Sequence, residues 1–241
     1  MAYLSRIWLN PRRLAAQRFI TNPQAVHAAI LAGLSAQPIT ERVLWRLDPD
    51  PRTEHRLELL VLTRSRPSWE SVIEQAGWPE SDEPQSQVRP YQPLLERVAI
   101  GREFAFRVKA NPASSTRRPD SPRLRDRLAS QKASRGVRVG HRTAAHQLNW
   151  FTSRTERWGF EIVTDGAGLP ALRLVSRGRH SFQKGTGKDN VVLETATFDG
   201  ILRVTDAERL RTTLLSGIGP GKAYGLGLLT LAPPVRESGD S

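Results

Sequence analysis

Acid–base chemistry in this chain falls to few side chains. The 241 residues contain five histidines and no cysteine, so thiolate nucleophiles, disulfides, zinc–thiolate sites and iron–sulfur clusters are excluded. His27, His55, His141, His146 and His180 are scattered. His141 and His146 stand five apart, whereas two metal ligands on one helical face need a spacing of three or four, and no paired carboxylates mark a shared strand end. No metal site and no cofactor is expected. His27 follows Val26 at the margin of an apolar stripe made by Val26, Ile30 and Leu34. By spacing alone it is open to two readings, a half-buried structural histidine or an acid–base group titrating near neutrality.

A second chemical feature is the run from Gly217 to Gly227, with Gly217, Gly219, Gly221, Gly225 and Gly227 around a single charge, Lys222. Glycines permit positive φ and let backbone amides approach a phosphate or another chain segment. A phosphate-binding Walker loop must follow a strand and open a helix, yet this run follows a helical pattern and opens a strand, with Ala223 where Ser or Thr is needed. Nucleotide binding is disfavoured. A tight helix-to-strand connection and a ligand-contacting loop both remain open.

Charge supplies the third feature. The chain carries 36 Lys and Arg against 24 Asp and Glu, a net +12, and the excess is clustered. Residues 107–142 hold eleven basic side chains against Asp120 and Asp126, which is +9 of that total. Arg173, Arg177, Arg179, Lys184 and Lys188 have no acid among them, and Arg6, Arg12, Arg13 and Arg18 have none in the first 20 residues. Three uncompensated runs repel one another, so a polyanion, foremost a nucleic acid, is the expected partner. No apolar run is long enough for a membrane span and no secretory signal pattern opens the chain, so no membrane association and a cytoplasmic location are expected.

The elements that must position these groups follow from periodicity and punctuation. Residues 3–9 read as a strand. Asn22-Pro23 opens a helix running to about Ala36, Asn as cap and Pro at the first turn. Strands are predicted over 43–47 and 57–63, a short helix capped by Ser68 to about Ala76, and an irregular edge strand over 88–95, weakened by Pro90 and Pro93. Glu103 to Lys109 alternates as a half-buried strand. Residues 111–135 read as a long Arg- and Ser-rich loop, disordered without its partner. A helix over 141–158, strands over 160–163, 171–177 and 191–204 (the last broken into a hairpin near Asp199-Gly200), a helix capped by Asp206, and a strand over 226–231 complete the chain. The length suits two domains of about 100 to 120 residues. The order strand, helix, strand, strand, helix, strand occurs once and then loosely again, which predicts an α+β protein of two tandem ferredoxin-like domains, over 1–95 and 100–235.

Five segments in order carry a resemblance: Tyr3-Leu4-Ser5-Arg6-Ile7-Trp8-Leu9-Asn10-Pro11, Asn22-Pro23-Gln24-Ala25-Val26-His27, Trp45-Arg46, Arg107-Val108-Lys109-Ala110-Asn111-Pro112, and Gly217 to Leu229. Together they resemble the CRISPR-associated repeat-processing endoribonucleases of the CasE family, the guide-RNA-processing subunit of the type I-E Cascade complex. The resemblance implies binding of a CRISPR repeat RNA hairpin, metal-independent cleavage at the base of its stem through the substrate's 2′-hydroxyl, and association with other Cascade subunits. It places His27 at the catalytic position and matches Ser35 to a serine that would contact the scissile phosphate. Some relatives carry a tyrosine three residues before the histidine and a lysine a turn or more after it, where this chain has Gln24 and Ala32. Arg18, Lys222 or an arginine of the basic loop would then supply charge to the phosphorane. Gripping of the stem is expected from Arg117, Arg118, Arg123, Lys132, Arg135, Arg138 and Arg142, and from Arg177, Arg179, Lys184 and Lys188. A non-catalytic RNA-binding scaffold, with His27 structural, is the alternative.

Overall fold

A computed structural model describes residues 1–35, 38–50, 52–53, 55–117, 122, 137–183 and 190–234. Arg118, Arg123, Lys132, Arg135, Lys184 and Lys188, and most of the expected 111–135 loop, lie outside the described residues.

The first half is built on an antiparallel sheet of order β2-β3-β1-β4, formed by β1 (Tyr3–Leu9), β2 (Leu44–Pro49), β3 (Leu57–Thr63) and β4 (Ser86–Pro90). Its helices are α1 (Leu14–Thr21), α2 (Pro23–Ala32), α3 (Glu70–Ala76) and α4 (Gln92–Arg97). As predicted, Asn22 caps α2, its side-chain oxygen accepting from the backbone amides of Gln24 and Ala25. The helix stops at Ala32 rather than Ala36, because Gly33 takes the cap and its carbonyl accepts from the Ser68 amide. Ser68 does not cap the following helix: Trp69 precedes α3, and no side chain caps it. The edge strand is shorter than expected. It ends at Pro90, and the chain turns into α4, with Pro93 in the first turn where its missing N–H costs nothing.

The second half holds a sheet of order β11-β5-β10-β8, formed by β5 (Glu103–Ala110), β8 (Phe160–Ile162), β10 (Asn190–Val204) and β11 (Leu229–Ala232), with β9 (Leu172–Gln183) also paired to β10. Helices α5 (Ala144–Thr152) and α6 (Ala207–Ser216) follow, the latter capped by Asp206 as expected. Strand β10 is not broken into a hairpin. It runs through Asp199-Gly200 with one irregularity at Thr197/Phe198, and Gly200 lets the Ala171 backbone lie against it where a side chain would collide. β6 (Ala113–Thr116), inside the expected loop, pairs with β7 (Val137–Gly140), just past its end, as a two-stranded ribbon.

Strand β3 explains how the halves join. Leu59 and Val61 face one core with Ile7, Val26, Ile30 and Trp45, whereas Leu60 and Leu62 face the other with Phe104, Phe106, Phe151 and Phe198. A sheet buried on both faces needs an unbroken apolar run, which Leu59-Leu60-Val61-Leu62 supplies. Arg46 pins the junction. Only 3 % exposed, it donates to Asp48 (2.5 Å), to the carbonyls of Arg107 (3.0 Å) and Leu228 (3.1 Å) and to the Thr230 hydroxyl (3.1 Å), tying β2 to β5 and β11. Such a buried charge is tolerated because its donors are met.

Candidate functional site

His27 lies on α2, a little over one turn from its capped start, and is half-buried. Its Nδ1 is fully buried and has no hydrogen-bond partner among the described residues, which leaves Nε2 as the nitrogen that can meet a substrate. Burial lowers its pKa below the ordinary value of 6.5, since the charged imidazolium is poorly solvated there. The ring is therefore neutral at pH 7 and available as a proton acceptor.

Helix α2 packs against the 3-10 turn Lys222–Tyr224 of the glycine run. Two features nearly 200 residues apart in the chain thus meet, the helix of the candidate base and the loop's one cation. Lys222 is half-buried and its pKa is lowered, first by burial and then by the charges of Arg42 and Arg138. Arg138 sits on β7 and Arg42 just before β2, both exposed. None of the three has an ion pair among the described residues. Three cations held within mutual repulsion favour an anion among them, and a phosphate fits that need. Arg42 is invisible in the sequence as a site residue, being one isolated arginine whose role comes only from the fold.

The glycine run itself has a structural explanation. Gly217, Gly219, Gly221, Gly225 and Gly227 all have positive φ. At Gly225, with φ +76°, an added Cβ would stand 2.6 Å from the Trp45 ring. Gly217 and Gly225 serve close approach of the loop to Leu44 and Trp45 of β2, and Lys222, half-buried, lies between them in the chain.

The remaining expected site residues are dispersed. Ser35 is exposed, three residues past the end of α2 and off its helical face. Arg18 is exposed in the last turn of α1. Arg117 is exposed at the end of β6. On the second sheet, Arg177 donates to the Arg142 carbonyl (2.7 Å), while Arg142 and Arg179 share Glu194 (3.4 and 3.8 Å). Arg107 is bound twice by Asp199 (2.7 and 2.5 Å). Charge that looks uncompensated along the chain is thus partly neutralised across strands, which local counting cannot reveal. At the root of the β6–β7 ribbon, Ser114 Oγ lies 2.8 Å from His141 Nε2 and accepts from Arg154 (3.3 Å), so His141 serves as an anchor there. No group of three or more His, Asp or Glu residues is arranged to hold a metal among the described residues. Nor is any described helix long and apolar enough to cross a membrane.

The family model described as CRISPR associated protein matches residues 2–233. The CRISPR-associated endoribonuclease Cse3 of Thermus thermophilus is 33% identical over 236 residues, 96% of this chain and 100% of that protein. The chain belongs to the CRISPR associated protein family. Within it, the CRISPR system Cascade subunit CasE of Escherichia coli is 27% identical over 193 residues, covering 79% of this chain and 88% of its own. A structure of Thermus thermophilus Cse3 bound to an RNA representing a pre-cleavage complex superposes with a TM-score of 0.70 at 30% identity, over 96% of this chain and 99% of that one. This family member is accordingly homologous to Cse3 across nearly its whole length and to CasE over about four-fifths of it.

Proposed function

We propose that this protein binds the stem-loop of CRISPR repeat RNA and cuts it at the base of the stem, releasing guide RNA. His27 takes the proton of the 2′-hydroxyl, whose oxygen bonds to the adjacent phosphorus as the bond to the 5′-oxygen breaks. The leaving oxygen is protonated by the imidazolium so formed or by water. The products are a 2′,3′-cyclic phosphate and a 5′-hydroxyl, and no metal is needed. Lys222, with Arg42 and Arg138 behind it, offsets the charge of the phosphorane. Ser35 and Arg18 are secondary contacts to the RNA near the cut, and the exposed Arg117, Arg138, Arg142, Arg177 and Arg179, with Arg118, Arg123, Lys132, Arg135, Lys184 and Lys188, hold the stem by its phosphates.

The reading rests above all on one observation, the packing of the His27 helix against the Lys222 turn. Two ferredoxin-like domains, over 1–95 and 100–235, are the frame we assign to it. The orders β2-β3-β1-β4 and β11-β5-β10-β8 support that assignment, each being the antiparallel pattern of a strand-helix-strand-strand-helix-strand unit. By likeness to the relative described as a Cascade subunit, the protein would remain on its product within a Cascade complex in the cytoplasm. Incubation with a panel of CRISPR repeat hairpins in chelator tests the function. Cleavage at the stem base is expected. A shifted but uncut hairpin would make the protein an RNA-binding scaffold instead.

A further inference from the structure

Beside the site, where the two halves meet, lies a cavity of about 250 Å³ that the cleavage chemistry does not use. Trp45 from β2 and Tyr224 from the Lys222 turn line it, together with Lys109 from β5, His180 from β9, and Leu193 and Thr195 from β10. We propose that this cavity receives one unpaired nucleobase of the bound RNA, a base presenting carbonyl oxygens such as uracil or guanine. The inference rests on the RNA-binding function proposed above.

Its volume is below the roughly 300 Å³ typical of sites for drug-sized ligands, and suits a single planar ring. Of the three aromatic side chains in the wall, Phe19 and Trp45 are buried and Tyr224, half-buried, is the one placed to stack on a base, which is how proteins hold unpaired bases. Phe182 packs on Tyr224 with ring centroids 4.8 Å apart and holds it in place.

Among the polar side chains of the wall, Asp48, Lys109, His180, Thr195 and Tyr224, Lys109 is the one that can only donate. Lys109 is half-buried, and burial lowers its pKa against the opposing charge of Asp48; it has no ion pair within 4 Å among the described residues. His180, opposite Leu193 in the β9–β10 ladder, is likewise lowered by burial and then by Lys109. Asp48 is the acid in the wall, and Arg46 already holds it at 2.5 Å. Lys109 can only donate, and the one carboxylate of the wall is already held, so at the Lys109 end of the cavity a carbonyl oxygen is favoured over an exocyclic amine. Position supports the same occupant. Pro23, the first residue of α2, and Tyr224 both line the cavity, so a base entering it belongs to a nucleotide near the phosphate facing His27. A base in the stem has its edge engaged by its pair, so the occupant is unpaired.

The test is an abasic scan of the unpaired nucleotides flanking the stem, read as Kd for the full-length protein. Loss of one base is expected to weaken binding about tenfold. Leu193→Trp, which fills the cavity, and Lys109→Met, which removes a donor at similar size, should weaken binding of intact RNA and lose sensitivity to that abasic position. Thermal melts establish that each variant is folded, and Lys109→Met carries the test if Leu193→Trp is not. A flat scan with tight stem binding, or folded variants as sensitive as the parent, overturns the pocket alone. Failure of the parent protein to bind the stem overturns the endoribonuclease reading instead.

Discussion

At the scale of the residue, His27 was readable as a histidine beside an apolar stripe, and its two readings differ in what the buried ring does. The structure leaves Nδ1 buried and unpartnered, a cost that a purely structural histidine would relieve with a hydrogen bond. His27→Ala should therefore lower the single-turnover cleavage rate about 10²- to 10⁴-fold, the usual worth of general acid–base help, while hairpin affinity stays within a few fold. A rate equal to the parent's would return His27 to the structural reading. The lowered pKa has a second consequence, with a definite sign. Between the folded value and the unfolded value near 6.5, the unfolded chain binds more protons at this site, so stability rises with pH through that window and is lost as pH falls through it. Melts of the free protein should show a sag on acidification below about pH 6.5 that His27→Ala diminishes. An identical pH dependence in both proteins would mean that burial does not perturb the ring.

Elements were legible where local chemistry decides them. The Asn22-Pro23 and Asp206 caps, the alternation of 103–109 and the apolar run of β3 all sit where the sequence puts them. What failed was set by distant partners. Gly33 ends α2 because Ser68 reaches its carbonyl, and β10 stays unbroken because Gly200 accommodates the backbone at Ala171. α1 and α4 are short helices of six to eight residues, too brief for a periodic signal to stand out. The glycine run was legible as a loop but not as a seat against Trp45. Gly225→Val forces a β-branched side chain into positive φ and onto that ring, and should cost about 1 to 3 kcal/mol in chemical denaturation. Parent-like stability would reduce the run to a spacer. Arg46→Met leaves Asp48 buried without its cation, for an expected loss of about 3 to 5 kcal/mol. A loss under a tenth of that would show the halves joined by apolar contact alone.

For the whole molecule, the net charge of +12 predicted a polyanion, and the fold divides that charge between internal pairs and free cations. Arg107, Arg142 and Arg179 are engaged by Asp199 and Glu194, whereas Lys222, Arg42 and Arg138 face no acid among the described residues. Each phosphate contact releases counterions, so log affinity should fall with log salt by roughly 0.7 to 0.9 per contact. Neutralising Arg117, Arg118 and Arg123 together should reduce that slope by about one unit per lost contact and leave the saturated cleavage rate nearly unchanged. An unchanged slope would shift the RNA toward Arg173, Arg177 and Arg179. The central claim is that the chain itself, through His27, performs 2′-hydroxyl chemistry on repeat RNA. The most direct measurement is the end chemistry of the products formed from a repeat hairpin in chelator by the parent and by His27→Ala. The account predicts 5′-hydroxyl and 2′,3′-cyclic phosphate ends from the parent and uncut RNA from the variant over the same interval. Products bearing 3′-hydroxyl ends, or equal cleavage by both proteins, would contradict it.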